Sequence, residues 1–274
     1  PRTRFVEVYL NTAGGAVQQG NYNGIYVIEE KIKRGSDRVD VDKLEPEHLR
    51  EPQVTGGYLF NIDRPDPNDS NFSAAGQGSL AWVDPKGPVV RMPARDPQEQ
   101  YLLRYINSYG TALNGVNFRD PVNGYAAYID VPAAIDHHIL NVYAHNVDAL
   151  RLSTYLHKPR NGKITFGPLW DFDRALGSTD GRDANPRIWY GSGGTDFFTY
   201  PWWSRMFQDI DFWQRWIDRW EDLRATHLSH TNIYRLIDEL SGQVKNAQPG
   251  EFAKWRISPR GGSYAAEIQR MKNY

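Results

Sequence analysis

The apolar positions of this chain follow a period of two in its first third and a helical period in most of the rest. Arg4 to Leu10 alternates Phe5, Glu7 and Tyr9 with Val6, Val8 and Leu10, and Gly24 to Ile32 is a second such run. A link rich in Gly and Asn joins them, so the pattern predicts an antiparallel pair. Gly56 to Ile62 reads as a third strand of the same sheet. From Asp63 to Asp96 the chain is polar and rich in Pro, Gly, Asp and Asn, with short strand-like pieces at Leu80 to Val83 and Val89 to Met92. This stretch is expected to form an irregular insertion or long hairpin.

The period then changes. Asp96-Pro97-Gln98-Glu99 carries a capping residue, a proline at the first helical position and a glutamate at the third, which is the signature of a helix start. Leu102, Leu103, Ile106, Tyr109 and Leu113 recur at helical spacing until Asn114-Gly115. A second helix is expected from Asp130, with Pro132 in its first turn and Ile135, Ile139, Leu140, Val142 and Tyr143 along it. A long loop, Ser178 to Thr199, precedes a helix over Trp202 to Leu223 with Trp213, Trp216 and Trp220 on one stripe, read as core. Two further helices are expected at about Asn232 to Lys245 and Tyr264 to Tyr274.

Between these halves lies the stretch that carries chemistry. Two strand-like runs, Leu152 to Lys158 and Lys163 to Trp170, flank Pro159-Arg160-Asn161-Gly162, and Asn-Gly between such runs marks a hairpin. Asp148 precedes the first run and Asp171 follows the second, so the two carboxylates should meet at the hairpin's open end. Asp173 would share the face of Asp171, which gives the expectation that three acids converge on one volume. Acids gathered in this way repel one another unless a cation or a shared proton offsets them.

Composition narrows the choice. The chain has 274 residues, enough for one large domain or two lobes around a cleft. Its formal net charge of −1 disfavours nucleic acid and anionic membrane surfaces as partners. The absence of cysteine removes disulfides, thiolate metal sites and a cysteine nucleophile. No apolar run is long enough to span a membrane, and no export signal is seen. Pro1-Arg2-Thr3 leads directly into a strand pattern, so further sequence is expected upstream.

Phosphoryl transfer from ATP needs one carboxylate to orient the attacking hydroxyl and others to hold the metal ions that bridge the phosphates. Protein kinases supply them from the loops before and after a short hairpin, the order of His145-Asn146-Val147-Asp148 and Asp171-Phe172-Asp173 here. Several stretches resemble the CotH kinase-like family of atypical protein kinases, named for a spore coat protein. Asn21 to Glu30, Thr55 to Asp63, Asn146 to His157 and Leu169 to Asp173 are each similar to one of its segments. The resemblance implies an α+β, two-lobed, atypical protein-kinase-like fold. Its β-rich N-terminal lobe would span residues 1–95, and its mostly helical C-terminal lobe, carrying the catalytic hairpin 148–173, residues 96–274. It implies transfer of the ATP γ-phosphate to Ser or Thr hydroxyls of a protein acceptor, with Mg2+ or Mn2+. Asp148 would be the catalytic carboxylate, Asp171 and Asp173 would hold metal, and Ser153 would occupy a metal-ligand position where the family commonly has Asn. Glu29, Glu30 and Lys31 are candidates for the nucleotide side, with Lys33 and Arg34 nearby. Localisation outside the cell, or at the cell or spore surface, is implied by the same resemblance.

Other readings of the same residues stand beside this one. Asp148 suits a helix-terminal turn, and His145 suits a packed structural histidine, since no His or Glu lies four residues away on its helix. Asp63, Asp66, Asp69 and Asn71 resemble a cation loop, but their spacing lacks the central glycine and final glutamate of a calcium loop and favours a solvated turn. A kinase-shaped module without turnover is one alternative, argued from Ser153. A carbohydrate-active hydrolase or sugar binder is another, argued from the acid pair and from Trp189, Tyr190 and Trp202.

Overall fold

The computed structural model describes residues 1–64, 70–178, 181–189 and 195–274. Asp66, Asp69 and Tyr190, named above as candidates, lie outside the described residues. The elements in order are strands β1 (Thr3–Tyr9), β2 (Tyr22–Glu29), β3 (Tyr58–Ile62), β4 (Asn71–Ala74) and β5 (Gln77–Asp84). Helices α1 (Gly87–Val90), α2 (Asp96–Asn114) and α3 (Val131–Tyr143) follow, then strands β6 (Thr154–Lys158) and β7 (Thr165–Phe166). Five helices close the order: α4 (Trp203–Met206), α5 (Ile210–Ala225), α6 (His230–Val244), α7 (Gln248–Trp255) and α8 (Tyr264–Asn273). The class is α+β with antiparallel sheets. Among the described residues no helix is long and apolar enough to cross a membrane.

The chain divides into two units. Residues 1–31 and 221–274 form the first. There β1 and β2 pair antiparallel, Val6 opposite Tyr26. The α7 residue Glu251 accepts a hydrogen bond from the Ile25 amide at 2.6 Å. Residues 32–220 form the second unit, built on a five-stranded sheet of order β4-β5-β3-β6-β7. The sequence placed Gly56 to Ile62 in one sheet with the first two strands; instead β3 is the centre of this second sheet, paired antiparallel with β5 and β6. Its apolar run explains this place. Tyr58, Leu59, Phe60 and Ile62 are all buried, which requires cover on both faces of the strand. On one face Tyr58 donates to the carbonyls of Val54 and of Gln98 in α2. On the other, Leu59 packs with Ile32, Val39 and Val41.

The insertion after Asp63 is more regular than expected. It forms the β4–β5 hairpin, and Val89 and Val90 belong to the short helix α1 rather than to a strand. Asp130 caps α3 by accepting the Ala133 amide at 3.0 Å, as its sequence pattern predicts. The helix expected over Trp202 to Leu223 is broken into α4 and α5. Asp209 starts the second by accepting the Asp211 amide at 3.1 Å. In the tryptophan stripe Trp216 is buried, whereas Trp213 is 37% exposed.

The central hairpin forms with Leu156 opposite Phe166 and His157 opposite Thr165. Its second strand is much shorter than Lys163 to Trp170. Gly167-Pro168 ends it, since proline has no amide for the ladder, and Ile164 turns aside to exchange backbone hydrogen bonds with Tyr128 and Asp130. The hairpin turn lies directly on Gly56, where a Cβ atom would sit 2.1 Å from the Arg160 nitrogen. Behind the turn, buried Lys158 donates to the carbonyls of Thr55 at 2.6 Å and Gly162 at 2.8 Å. Its ammonium also lies 4.2 Å from the Tyr105 ring centroid. Burial pushes the Lys158 ammonium down from 10.5 to about 8.

Candidate active site

Helix α3 ends at Tyr143, and His145, at φ 51°, turns the chain out of it. The Asn146 amide closes on the Asn141 carbonyl at 3.0 Å, and the Leu152 amide on the Asp148 carbonyl at 3.0 Å. Thr154 ties this turn to β6 by accepting from the Leu150 amide and donating to the Leu152 carbonyl. Asp148 is thus held between the end of a buried helix and the first residue of a strand.

The segment after β7 comes back beside this turn. The Asn146 side-chain amide donates to the main-chain oxygen of Asp171 at 3.1 Å, and its oxygen accepts the amide of Asp148 at 3.4 Å. One side chain therefore brackets both acids. Ser153 Oγ donates to Asp171 Oδ2 at 3.1 Å. Partial desolvation, followed by the hydrogen bond and charge of Asp173 and the charge of Asp63, pushes the Asp171 carboxyl up; the Ser153 bond acts the other way. Asp171, Asp173, Ser153 and Asp63 accordingly belong to one neighbourhood.

Asp148 has a different environment. Its Oδ1 accepts from Arg151 Nη2 at 2.6 Å and lies 3.5 Å from Arg182 Nη2, and its Oδ2 lies 3.8 Å from Arg174 Nε. The expected gathering of Asp148, Asp171 and Asp173 on one metal position does not form. Among the described residues no three His, Asp or Glu side chains make a metal-ligand group. The physical reason is that guanidinium groups, rather than the other two acids, surround the Asp148 carboxylate.

Glu29, Glu30 and Lys31 belong to the first unit. Glu29 and Lys31 are exposed, and Glu30 pairs with Arg2 at 2.5 Å. Arg34 pairs with Asp84 at 3.3 Å, and Lys33 is exposed. His145 is 1% exposed, its ring packs edge-on against Phe197, and burial pushes it down. Those features fit the structural reading. Trp202 is buried, with its indole nitrogen donating to the Ala75 carbonyl, and offers no stacking platform; Trp189 is half exposed.

Several residues of this neighbourhood have a place that the sequence does not give; Asp63, read there as part of a solvated turn, is one. Asp63 extends β3, and because Ile62 pairs with Thr154 it falls beside Ser153. Nothing local in the sequence gives that cross-strand register. Asn146 stood in a recognised segment, but its two-sided bond needs the return of Asp171 to be seen. Arg151, Arg174 and Arg182 were passed over, although each lies near an acid in sequence or in the following loop.

The family model described as CotH kinase protein matches residues 1–274, the whole chain. No curated protein matches it.

Proposed function

The chain belongs to the CotH kinase family, and from that membership we propose that it transfers the γ-phosphate of ATP to a Ser or Thr hydroxyl of a protein acceptor. The observation that carries this reading is the Asn146 side chain, which holds the backbones of Asp148 and Asp171 on either side of one amide. On this reading Asp148 serves the acceptor and Asp171 with Asp173 serves the phosphates, and their adjoining segments agree with what in-line transfer requires.

The donor set at Asp171, Asp173 and Ser153 fits a divalent cation. Two carboxylates and a hydroxyl are hard oxygen donors, and a bound ion would offset both the desolvation that chiefly raises Asp171 and the neighbouring Asp173 that adds to it. These residues would hold Mg2+ or Mn2+, which would offset charge on the phosphates. Asp148 accepts a hydrogen bond from the acceptor hydroxyl and orients its oxygen towards the γ-phosphorus. The new P–O bond forms as the bond to the bridging oxygen of ADP breaks, and the hydroxyl proton leaves through Asp148 to solvent. Under this reading residues 1–95 are taken as the nucleotide-side lobe and residues 96–274 as the acceptor side, and Glu29, Glu30 and Lys31 stay candidates for nucleotide contact. An extracellular or spore-surface setting goes with the same proposal.

A second reading, a kinase-shaped binding module without turnover, draws support from the tight Arg151 bond on Asp148 and from Ser153. Transfer of labelled γ-phosphate from ATP with Mg2+ or Mn2+ separates the two. Incorporation by the native protein, lost in Asp148→Asn and in Asp171→Asn, is the expected result. ATP binding without incorporation would establish the module instead.

A further inference from the structure

Three arginines from three segments surround one carboxylate. Arg151 comes from the turn that carries Asp148, Arg174 directly follows Asp173, and Arg182 comes from the loop beyond. Their guanidinium nitrogens lie 2.6, 3.8 and 3.5 Å from Asp148, with both carboxylate oxygens engaged. Only the first distance is that of a close charge-assisted hydrogen bond.

Each guanidinium has five donors, while one carboxylate offers about four acceptor sites. Whatever other partners these side chains take, Asp148 does not exhaust the group. Arg174 is 46% exposed and Arg182 24%, so an anion arriving from solvent can reach them. Two further bonds fix the loop from which they project. The Leu176 amide donates to the Ala144 carbonyl at 2.8 Å, and Ser178 Oγ to the Asp173 carbonyl at 2.9 Å. The guanidinium fork matches phosphate oxygens in pairs, which an ammonium cannot do.

We propose that Arg151, Arg174 and Arg182 form a polyphosphate niche that takes the terminal phosphates of the nucleotide. The inference rests on the kinase reading of Asp148 and Asp171 for its choice of ligand. The niche lies where the acceptor-orienting acid meets the segment of the acid pair, so its cations flank the phosphoryl group during transfer and offset the charge that develops there. Arg151, bonded to Asp148 in the free protein, exchanges part of that bond for the incoming phosphate.

The test is a set of binding titrations with tripolyphosphate, ATP, adenosine and a phosphoserine peptide, on the native protein and on Arg174→Gln/Arg182→Gln. Expected is a loss of about tenfold or more in affinity for tripolyphosphate and for ATP, with adenosine unchanged. The pair Arg174→Lys/Arg182→Lys, which keeps charge without the fork, should recover part of the loss, and a thermal midpoint close to native in either pair excludes misfolding as the cause. Unchanged tripolyphosphate affinity in the glutamine pair overturns the niche. So does a phosphoserine peptide that binds through these arginines while ATP does not, since the anion would then belong to the acceptor. The kinase reading fails separately. Tripolyphosphate bound through the arginines without any phosphate transfer leaves the niche standing, and transfer that depends on Asp148 with no arginine effect leaves only the kinase.

Discussion

At the scale of single residues, the candidate site is marked by backbone that side chains other than glycine seldom adopt. His145, Leu150, Ser153, Asp171 and Leu176 have φ of 51°, 69°, 52°, 62° and 57°. Such conformations cost on the order of 1 kcal/mol or more each and persist where surrounding bonds hold them. Here the holding bonds are those of Asn146, Thr154 and Ser153. Ser153 is the most instructive of the five. Asparagine enters the left-handed region more readily than serine, and its amide oxygen reaches one bond further towards the acid pair. Ser153→Asn should therefore keep or slightly raise the thermal midpoint. It should also increase transfer at limiting Mg2+ by about tenfold, equivalent to about 1.4 kcal/mol. Initial rates across a Mg2+ titration give the answer, and an unchanged Mg2+ requirement would remove Ser153 from the metal position.

At the scale of elements, the central hairpin shows how far the sequence could be read. Its turn was legible in Asn161-Gly162, α3 in its cap and periodicity and α2 in its periodicity, because turn chemistry and helical spacing are local. Asp96, expected to cap α2, is instead its first residue, after Arg95, and no side-chain cap bond starts that helix. The sheet order was not legible, since β3 pairs with a strand about a hundred residues away, and neither alternation nor composition encodes a partner. The place of Asp63 beside Ser153, and of Arg174 and Arg182 near Asp148, needs the chain to return along those long-range pairings, whereas the Arg151 bond to Asp148 is local. The two glycines before β3 gain a physical meaning once the hairpin is in place. Gly57 has φ 94°, and a Cβ on it would lie 2.6 Å from the Asp42 carbonyl; one on Gly56 would lie 2.1 Å from Arg160 and 2.2 Å from Pro159 main-chain atoms. Those neighbours are backbone and cannot swing away. Gly56→Ala should push the turn off β3 and cost on the order of 2–3 kcal/mol. It should also loosen Lys158, whose bond to the Thr55 carbonyl spans the same junction. Urea unfolding measures the first effect, and a native-like midpoint would show that the turn is not seated on Gly56.

At the scale of the whole molecule, response to acid follows from two neighbouring histidines of α3 buried inside the larger unit. His138 Nε2 donates to the Phe197 carbonyl at 3.0 Å, and its Nδ1 accepts from the Trp216 indole at 3.1 Å. The ring is thereby fixed in its neutral form among Phe198, Trp203 and Phe207. His137 is 4% exposed, packs against Phe166, and among the described residues has no hydrogen-bond partner on either ring nitrogen. Desolvation pushes His137 down from 6.5 to about 4 and His138 from 6.5 to about 3. In the unfolded chain both protonate near 6.5. Between that value and about 4 the unfolded state therefore binds more protons than the native one, and stability rises with pH across this window. Full stability is present above about 6.5 and is lost as the pH falls below it, each histidine contributing on the order of a few kcal/mol. Carboxylates add their own acid dependence, so the informative quantity is a difference between two proteins. His137→Leu replaces a buried ring that has no hydrogen-bond partner among the described residues with an apolar side chain of similar volume but different shape, and removes one of the two protonation sites. Urea midpoints followed by tryptophan fluorescence at about pH 7, 6 and 5 should fall less steeply for His137→Leu than for the native protein. The variant should overtake it at the acid end even if the mismatch of a branched side chain in a ring-shaped site makes it the weaker of the two at neutral pH. Parallel decline of the two would mean that His137 is already solvated in the native state, with an ordinary histidine proton affinity.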